Sequence, residues 1–318
     1  MFEEKEIIIG HLSTLYHTSF ILMGTGWLEK SGIHATWKLF ASGPDIVKAF
    51  ENKEIDIGYI GLPPAIIGMD RGIPIVCVAG GHVEGTVLIA GKNYRTYTEY
   101  DDINTVMRQF EGKVIGSPPK GSIHDVIINN IINANDLSIR VENFPWTDFV
   151  LEALVDGKID AAIGTPSLAI AAARACNAKL IIPPHLLWPD NPSYGIVIRK
   201  ELIQYPDVIL RFLEQHEKAS NFIRIHPAEA ARLVSRLTGI VDEKFVLDAY
   251  RISPKYCAAL SREFVKSTMA FVPVLHRLKY ISNIISGKEI FEYFFIQKIH
   301  TEQPHYNLPP SETFGGND

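Results

Sequence analysis

The chain has 318 residues, 47% of them apolar and 21% charged, with a formal net charge of −5. That is room for about two domains at an ordinary globular composition. The acidic balance, with no stripe of Lys and Arg, argues against a nucleic-acid partner, whose phosphates demand clustered cations.

In chain order, EIIIG (Glu6 to Gly10) is an apolar, β-branched run of the kind found in parallel sheets. Thr14 to Glu29 carries apolar residues at helical spacing and ends at Ser31-Gly32. HATWKLFAS (His34 to Ser42) alternates as a strand. Ser42-Gly43-Pro44-Asp45 is a turn with helix-start chemistry, and a helix follows from Ile46 to Asn52. IDIGYIG (Ile55 to Gly61) is a buried strand, and Pro63 and Pro64 suit the first turn of a helix through Met69. PIVCVAG (Pro74 to Gly80) is a strand, and Gly85 to Lys92 is another that leads out of a first lobe. A second lobe begins with KVIGS (Lys113 to Ser117). It continues with a helix from Ile123 to Ala134, a strand from Ile139 to Asn143, a helix from Asp148 to Asp156, a strand from Ile159 to Gly164, a helix from Pro166 to Ala175 and a strand from Lys179 to Pro184. Asn191 to Lys200 is a β-rich return. From Pro206 onward four segments have an apolar 3.6-residue period. The last residues, rich in Pro, Gly and polar groups, are expected to be loosely draped.

One phrase is written twice. NKEIDIGYIGLPPA (Asn52 to Ala65) and GKIDAAIGTPSLA (Gly157 to Ala169) each place a Lys close before Ile-Asp, then an apolar run, a Gly, a spacer and a Pro. Upstream, SGPDIVKAF faces PWTDFVLEAL, and EIIIGHLST faces KVIGSPPKGS, in the same order. Three matched phrases in register predict a duplicated α/β lobe. In open α/β sheets ligands bind beyond the carboxyl ends of the strands, at helix N-termini. Two facing lobes would therefore share one cleft, and the Gly-x-Pro phrase would mark one strand-to-helix junction on each jaw. Gly121 and Ser122, at the start of a second-lobe helix, would offer N–H groups and a hydroxyl to an anion, with Lys120 as a point charge.

Other chemistries find little support. Cys77, Cys176 and Cys257 are scattered and give neither a disulfide framework nor a CxxC spacing. No local pair of ligands stands at metal spacing, so no metal and no cofactor are expected. There is no GxSxG elbow, and no catalytic residue is assigned. No stretch approaches the ~20 apolar residues of a membrane helix. MFEEKEIII has acids where a secretory leader wants Lys or Arg. The chain as written reads as cytoplasmic, or as extracytoplasmic if a leader was removed.

These phrases carry a family likeness. The chain resembles the solute-binding proteins of the nitrate, taurine and aliphatic-sulfonate uptake systems. The likeness rests on FASGPDIVKAFENKEIDIGYIGLPPAI, FEGKVIGSPPKGSIHDVIINNII, FVLEALVDGKIDAAIGTPSLAI and SYGIVIRKELIQYPDVILRFLEQHEKASNFIRIHPAEAARLV, and the resemblance covers the chain from Glu6 to Leu278. It implies an α/β, two-lobed periplasmic-binding-protein fold of type II, with two crossover strands and here a helical C-terminal extension. Residues 1–91 and 195–300 would form lobe one with the C-terminal helices, 92–194 lobe two, and 301–318 a flexible tail. The implied function is capture of a small polar organic anion for an ABC-type permease, by a monomer that is not an enzyme. The alternative is a cytoplasmic enzyme or sensor on the same fold, akin to those of thiamine-pyrimidine or menaquinone synthesis. Carried over by position, the implied pocket draws on His11, Ser13, Thr14 and Tyr16, the Ser42-Gly43 turn, Tyr59 and Gly61, and His82 and Glu84. From the other jaw come Lys120, Gly121, Ser122, Trp146 and Thr165. Trp146, Tyr16 and Tyr59 would wall an organic ligand, and Glu84 facing Lys120 would suit a zwitterion.

Overall fold

The computed structural model describes residues 6–308. In chain order the first part comprises β1 (Glu6–Leu12), α1 (Thr18–Thr25), α2 (Trp27–Lys30), β2 (His34–Phe40), α3 (Gly43–Glu51), β3 (Ile57–Ile60), α4 (Leu62–Asp70) and β4 (Ile75–Val83). Then come β5 (Val87–Ala90), α5 (Tyr97–Tyr100), α6 (Ile103–Arg108), β6 (Val114–Ser117), α7 (Ile123–Ala134), β7 (Arg140–Asn143), α8 (Thr147–Val155), β8 (Ala161–Gly164), α9 (Pro166–Cys176), β9 (Lys179–Ile182) and α10 (Pro184–Leu187). The chain returns through β10 (Pro192–Arg199) to α11 (Pro206–Ile225), α12 (Pro227–Thr238), α13 (Glu243–Ile252), α14 (Arg262–Arg277), α15 (Gly287–Ile290) and α16 (Phe294–Ile299). The helix expected over Thr14 to Glu29 is two pieces, because Gly26 takes a left-handed conformation (φ 61°) that closes α1.

Two five-stranded sheets run β2-β1-β3-β10-β4 and β7-β6-β8-β5-β9. They are the same sheet built twice. β1 lies parallel between β2 and β3, as β6 lies parallel between β7 and β8. The fourth strand of each is antiparallel and comes from elsewhere in the chain: β10 enters sheet one after lobe two, and β5 enters sheet two directly after lobe one. This exchange of strands makes the two crossings. The first falls between Val83 and Val87, earlier than the sequence suggested, because β5 pairs with β8 and β9 and so belongs to lobe two.

The repeated Ile-Asp does the same work in each lobe. The Asp56 carboxylate accepts the Ile8 N–H at 3.0 Å while the Asp56 N–H bonds the Ile8 carbonyl. The Asp160 carboxylate accepts the Val114 N–H at 2.9 Å while its own N–H bonds the Val114 carbonyl. Both thus satisfy a backbone donor where the central strand has no ladder partner. The residues just upstream, Lys53 (φ 58°) and Gly157 (φ 68°), both take the left-handed turn that ends the preceding helix. At the same spacing downstream, Gly61 matches Thr165, so the Gly-x-Pro alignment read from the sequence slips by one residue.

The C-terminal helices cover lobe one. α11 and α12 pack on α1, and α14 spans α4 of lobe one and α7 of lobe two. The tail was expected to be flexible from 301, but His305 and Tyr306 are buried, and the Tyr306 hydroxyl donates to the carbonyls of Cys257 and Ala259. The rest of the expected tail, 309–318, lies outside the described residues.

Candidate functional site

Six helices begin at the space between the lobes. His17, Ser42 and Gly61 are the N-caps of α1, α3 and α4 on one jaw; Ser122 and Thr165 cap α7 and α9 on the other, and Thr147 is the first residue of α8. All six residues line one cleft that is continuous with solvent. Leu12, Pro64, Pro118 and Ile123 add apolar surface, and Ser13, Thr14, Tyr16 and Ser193 add hydroxyls. Among the described residues that line it there is no Asp, Glu, Lys or Arg. Each helix start presents unpaired N–H groups and the positive end of its dipole. The cleft therefore offers a ligand helix N-termini and hydroxyls in place of charged side chains.

Its polar groups differ in how far the protein already uses them. The Ser42 hydroxyl donates to the Asp45 carboxylate at 2.6 Å and accepts the Asp45 N–H. Ser122 and Thr165 only accept, from the N–H groups of Asp125 and Leu168, and keep a proton to give. His17 is buried with Nδ1 unpartnered. Burial holds its pKa well below the ordinary histidine value, reinforced by His82, His11 and His216 nearby. His124 is pushed down to about 3 by burial and sits 3.1 Å from the Thr86 hydroxyl. Both imidazoles are neutral at pH 7 and act as hydrogen-bonding groups, not cations.

A buried polar chain sets the start of α1. His216 Nε2 faces the Gly80 carbonyl at 2.9 Å, which makes that nitrogen the donor and leaves Nδ1 to accept from the Thr18 hydroxyl at 3.0 Å. The Tyr194 hydroxyl then donates to Thr18 Oγ1 at 3.1 Å and accepts the Thr18 N–H at 3.2 Å. The first turn of α1 is thereby fixed from inside lobe one.

Of the residues named from the sequence, Ser13, Thr14, Tyr16, Ser42, Gly43, Gly61, Ser122 and Thr165 line the cleft. Seven lie elsewhere. His11 packs edge-on against Phe20 and Trp37 behind the strand end. Tyr59 is 0% exposed, in the core among His17, Trp37, Tyr194 and Phe212, because β3 is covered on both faces. His82 bonds the Ser253 carbonyl and packs between Tyr16 and Tyr256. Glu84 stands in the first crossing, between β4 and β5. It holds φ 62°, pairs with Lys255 at 2.9 Å and accepts the Asp190 N–H, while its own N–H bonds the Asn191 carbonyl. It thus ties the first crossing to the second. Lys120 and Gly121 line a separate groove with Tyr280, and the Gly121 N–H is committed to the Asp125 carboxylate. Glu84 and Lys120 do not face each other across the cleft. Trp146 is the N-cap of α8 but does not line the cleft; its successor Thr147 does.

His17, His124, Thr147 and Ser193 were not named from the sequence. A helix start placed at Thr18 would have put His17 at an N-cap, and one placed at Thr147 would have put that residue on the cleft. Ser193 has no local signal: it reaches the cleft as part of the second crossing, where its hydroxyl accepts the Gly85 N–H of the first.

Comparison with known proteins agrees with this architecture. A protein of Bacillus subtilis (strain 168), named as a candidate aliphatic sulfonates-binding protein, is 25% identical over 301 residues, covering 92% of this chain and 88% of its own. The alkanesulfonate-binding protein SsuA from Xanthomonas axonopodis pv. citri, solved bound to MOPS, superposes with a TM-score of 0.76 over 90% of this chain and 98% of its own, at 15% identity. The periplasmic nitrate-binding protein NrtA from Synechocystis PCC 6803 gives 0.77 over 97% of this chain and 92% of its own, at 14% identity. These two share the fold: two lobes, two crossings and one cleft. The NMT1-like family pattern matches residues 2–238, which include both lobes and every residue of the cleft, and the chain belongs to that family.

Proposed function

We propose that this chain is the solute-binding component of an ABC-type import system and that it captures a small organic anion of the sulfonate class. The observation that carries this reading is the meeting of six helix N-termini and a set of hydroxyls in a cleft lined by no charged side chain. A sulfonate stays charged at any physiological pH and offers three acceptor oxygens with no proton to give. Such a group is matched by donors alone. Free hydroxyl protons on Ser122 and Thr165 and N–H groups at the helix starts supply them. A carboxylate clamp of Lys or Arg is not needed. Leu12, Ile123, Pro64 and Pro118 fit a short aliphatic substituent. The named relatives, which bind aliphatic sulfonate or nitrate, support the same class of ligand.

In this reading the protein works by closure and not by turnover, as a monomer, outside the cytoplasmic membrane, where it hands its ligand to a permease. Calorimetry with a short alkanesulfonate, the corresponding carboxylate, nitrate and a primary amine tests it. Micromolar binding of the sulfonate, with the amine inert, is expected. Preference for the amine, or recovery of the bound sulfonate in chemically altered form, would overturn the proposal.

A further inference from the structure

Away from the cleft, four side chains from four separate stretches meet at one point. Glu217 lies on α11, Cys257 on the segment beside β4, His300 at the end of α16, and His305 in the terminal segment. One donor atom from each lies within 4.8 Å of every other. Cys257 Sγ and His300 Nε2 are 3.2 Å apart, and Glu217 Oε1 is 3.3 Å from His305 Nδ1 and 3.8 Å from His300 Nε2. The group is dry: Cys257 is 0% exposed, and the side chains of His300, His305 and Glu217 are 2, 6 and 12% exposed. His305 Nδ1 is buried without a hydrogen-bond partner, although it points at the carboxylate.

We infer that Glu217, Cys257, His300 and His305 form a structural site for a divalent transition metal, of which Zn²⁺ fits best. A thiolate, two imidazoles and a carboxylate are a zinc donor set. With metal–ligand bonds of about 2.0–2.3 Å, a tetrahedron has edges of about 3.3–3.7 Å, close to the 3.2, 3.3 and 3.8 Å separations, and a bound ion would draw in the wider pairs of up to 4.8 Å. Four protein ligands close the coordination shell, which marks a structural and not a catalytic centre. The orphaned His305 Nδ1 gains a partner, and the surrounding shell is in place: Glu217 Oε2 accepts the Ala258 N–H at 2.9 Å, and Oε1 accepts from the Asn221 amide. The sequence hides the site because its ligands stand at 217, 257, 300 and 305, with no short motif between them.

The placement gives the metal a task. Three of the four ligands lie beyond residue 238, where the family match ends. The segment that carries Cys257 is bonded to β4 through Gly80 N–H to Ala258 O and Cys257 N–H to Gly81 O. β4 runs straight into the first crossing. The metal therefore fastens the C-terminal stretch of the chain onto the back of the hinge strand.

The test uses untagged, full-length protein. After chelation, added Zn²⁺ is expected to bind at about one equivalent and to raise the melting temperature. Co²⁺ is expected to give a thiolate-to-cobalt charge-transfer band together with visible bands of tetrahedral intensity. Cys257→Ser should remove the charge-transfer band and lower affinity by at least about 100-fold, more than loss of a supporting hydrogen bond does. Cys176→Ser, at the end of α9, should leave the band intact. Cobalt binding without the thiolate band, or a band that survives in Cys257→Ser, overturns the inference. If Cys257→Ser does not fold, the unsubstituted protein decides: a chelated sample whose melting temperature does not respond to Zn²⁺ overturns it as well.

Discussion

The two lobes are alike where they face away from the cleft and different where they face it. At the far end, Asp56 and Asp160 hold the same backbone amide of the central strand, and Lys53 and Gly157 make the same left-handed turn. At the cleft end, Gly61 stands where its counterpart is Thr165, and His17 caps the helix whose counterpart is capped by Ser122. A duplicated architecture keeps what lays the strands down. What meets the ligand is free to differ, since each jaw presents a different part of the surface. The lobes also differ in buried imidazoles: His11, His17, His82 and, from α11, His216 in lobe one, and His124 in lobe two.

That last difference gives the largest expected effect. Burial lowers the pKa of all five histidines, His82 and His124 to about 3 and His216 to about 4. Each stays neutral in the folded state while the unfolded chain takes up a proton below its ordinary value of about 6.5. The unfolded state then binds more protons, so stability falls as pH drops from about 6.5 toward the folded value. Below the ordinary value the slope approaches about 1.4 kcal/mol per pH unit for each of His82, His124 and His216. Lobe one with its covering helices bears four such terms and lobe two one. Hydrogen exchange between pH 7 and 5 should show β1–β4 losing protection before β6–β9. Equal loss in both sheets would break the asymmetry.

The paired aspartates come next. Asp56 also pairs with Arg199, whose side chain is 20% exposed and whose Nε has no hydrogen-bond partner among the described residues. Asp160 pairs with Lys113, which is 39% exposed and can turn to water. Asp56→Ala strands a half-buried guanidinium and should cost about 3 kcal/mol. Asp160→Ala loses chiefly the bond to Val114 and should cost about 1–2 kcal/mol. Urea denaturation measures both. Equal costs would mean that the backbone bond, and not the cation, sets the value of the repeated Asp.

Much of this organisation could be read from the chain. The bounds of α7 were read to the residue, because Ser122 is an N-cap and the apolar period is clean. The duplication was legible because Asp and Pro mark both ends of β3 and β8. The lobe assignment of β5 was not, since VLIA is apolar throughout and carries no sign of which sheet it joins. Tyr59 was misplaced for the same reason: a strand buried on both faces has no alternation to say which way a side chain points. Glu84 and the cluster of Glu217, Cys257, His300 and His305 depend on contacts between distant segments, which leave no periodic trace.

The cleft ends of the repeat can be exchanged. A Cβ on Gly61 would lie 3.3 Å from the Ser193 carbonyl and 3.5 Å from Ile123 on the other jaw. Gly61→Val should therefore hold the lobes apart and weaken ligand binding by about 1–3 kcal/mol, the usual range for overpacking. Thr165→Val keeps the volume but loses a cap and a donor, at about 1 kcal/mol. Scattering with and without sulfonate should show less compaction in the first variant and normal compaction in the second. Normal compaction in both would leave Gly61 no part in closure.

The smallest effect separates two serine N-caps, one on each jaw. Ser42 gives its proton to Asp45 at 2.6 Å, so a ligand could receive nothing from it without breaking that bond. Ser122 accepts the Asp125 N–H at 3.3 Å and keeps its proton. Both are N-caps, and their replacement by Ala should lower stability by about 0.5–1 kcal/mol each. Affinity should part them. Ser122→Ala removes a donor aimed at the anion and should weaken sulfonate binding by about 1 kcal/mol, near fivefold. Ser42→Ala should leave affinity unchanged, because the backbone N–H groups of α3 remain. Calorimetry on folded variants reads the difference directly. A loss of affinity in Ser42→Ala as large as that in Ser122→Ala would mean that the Asp45 bond gives way on binding, and that both jaws donate alike.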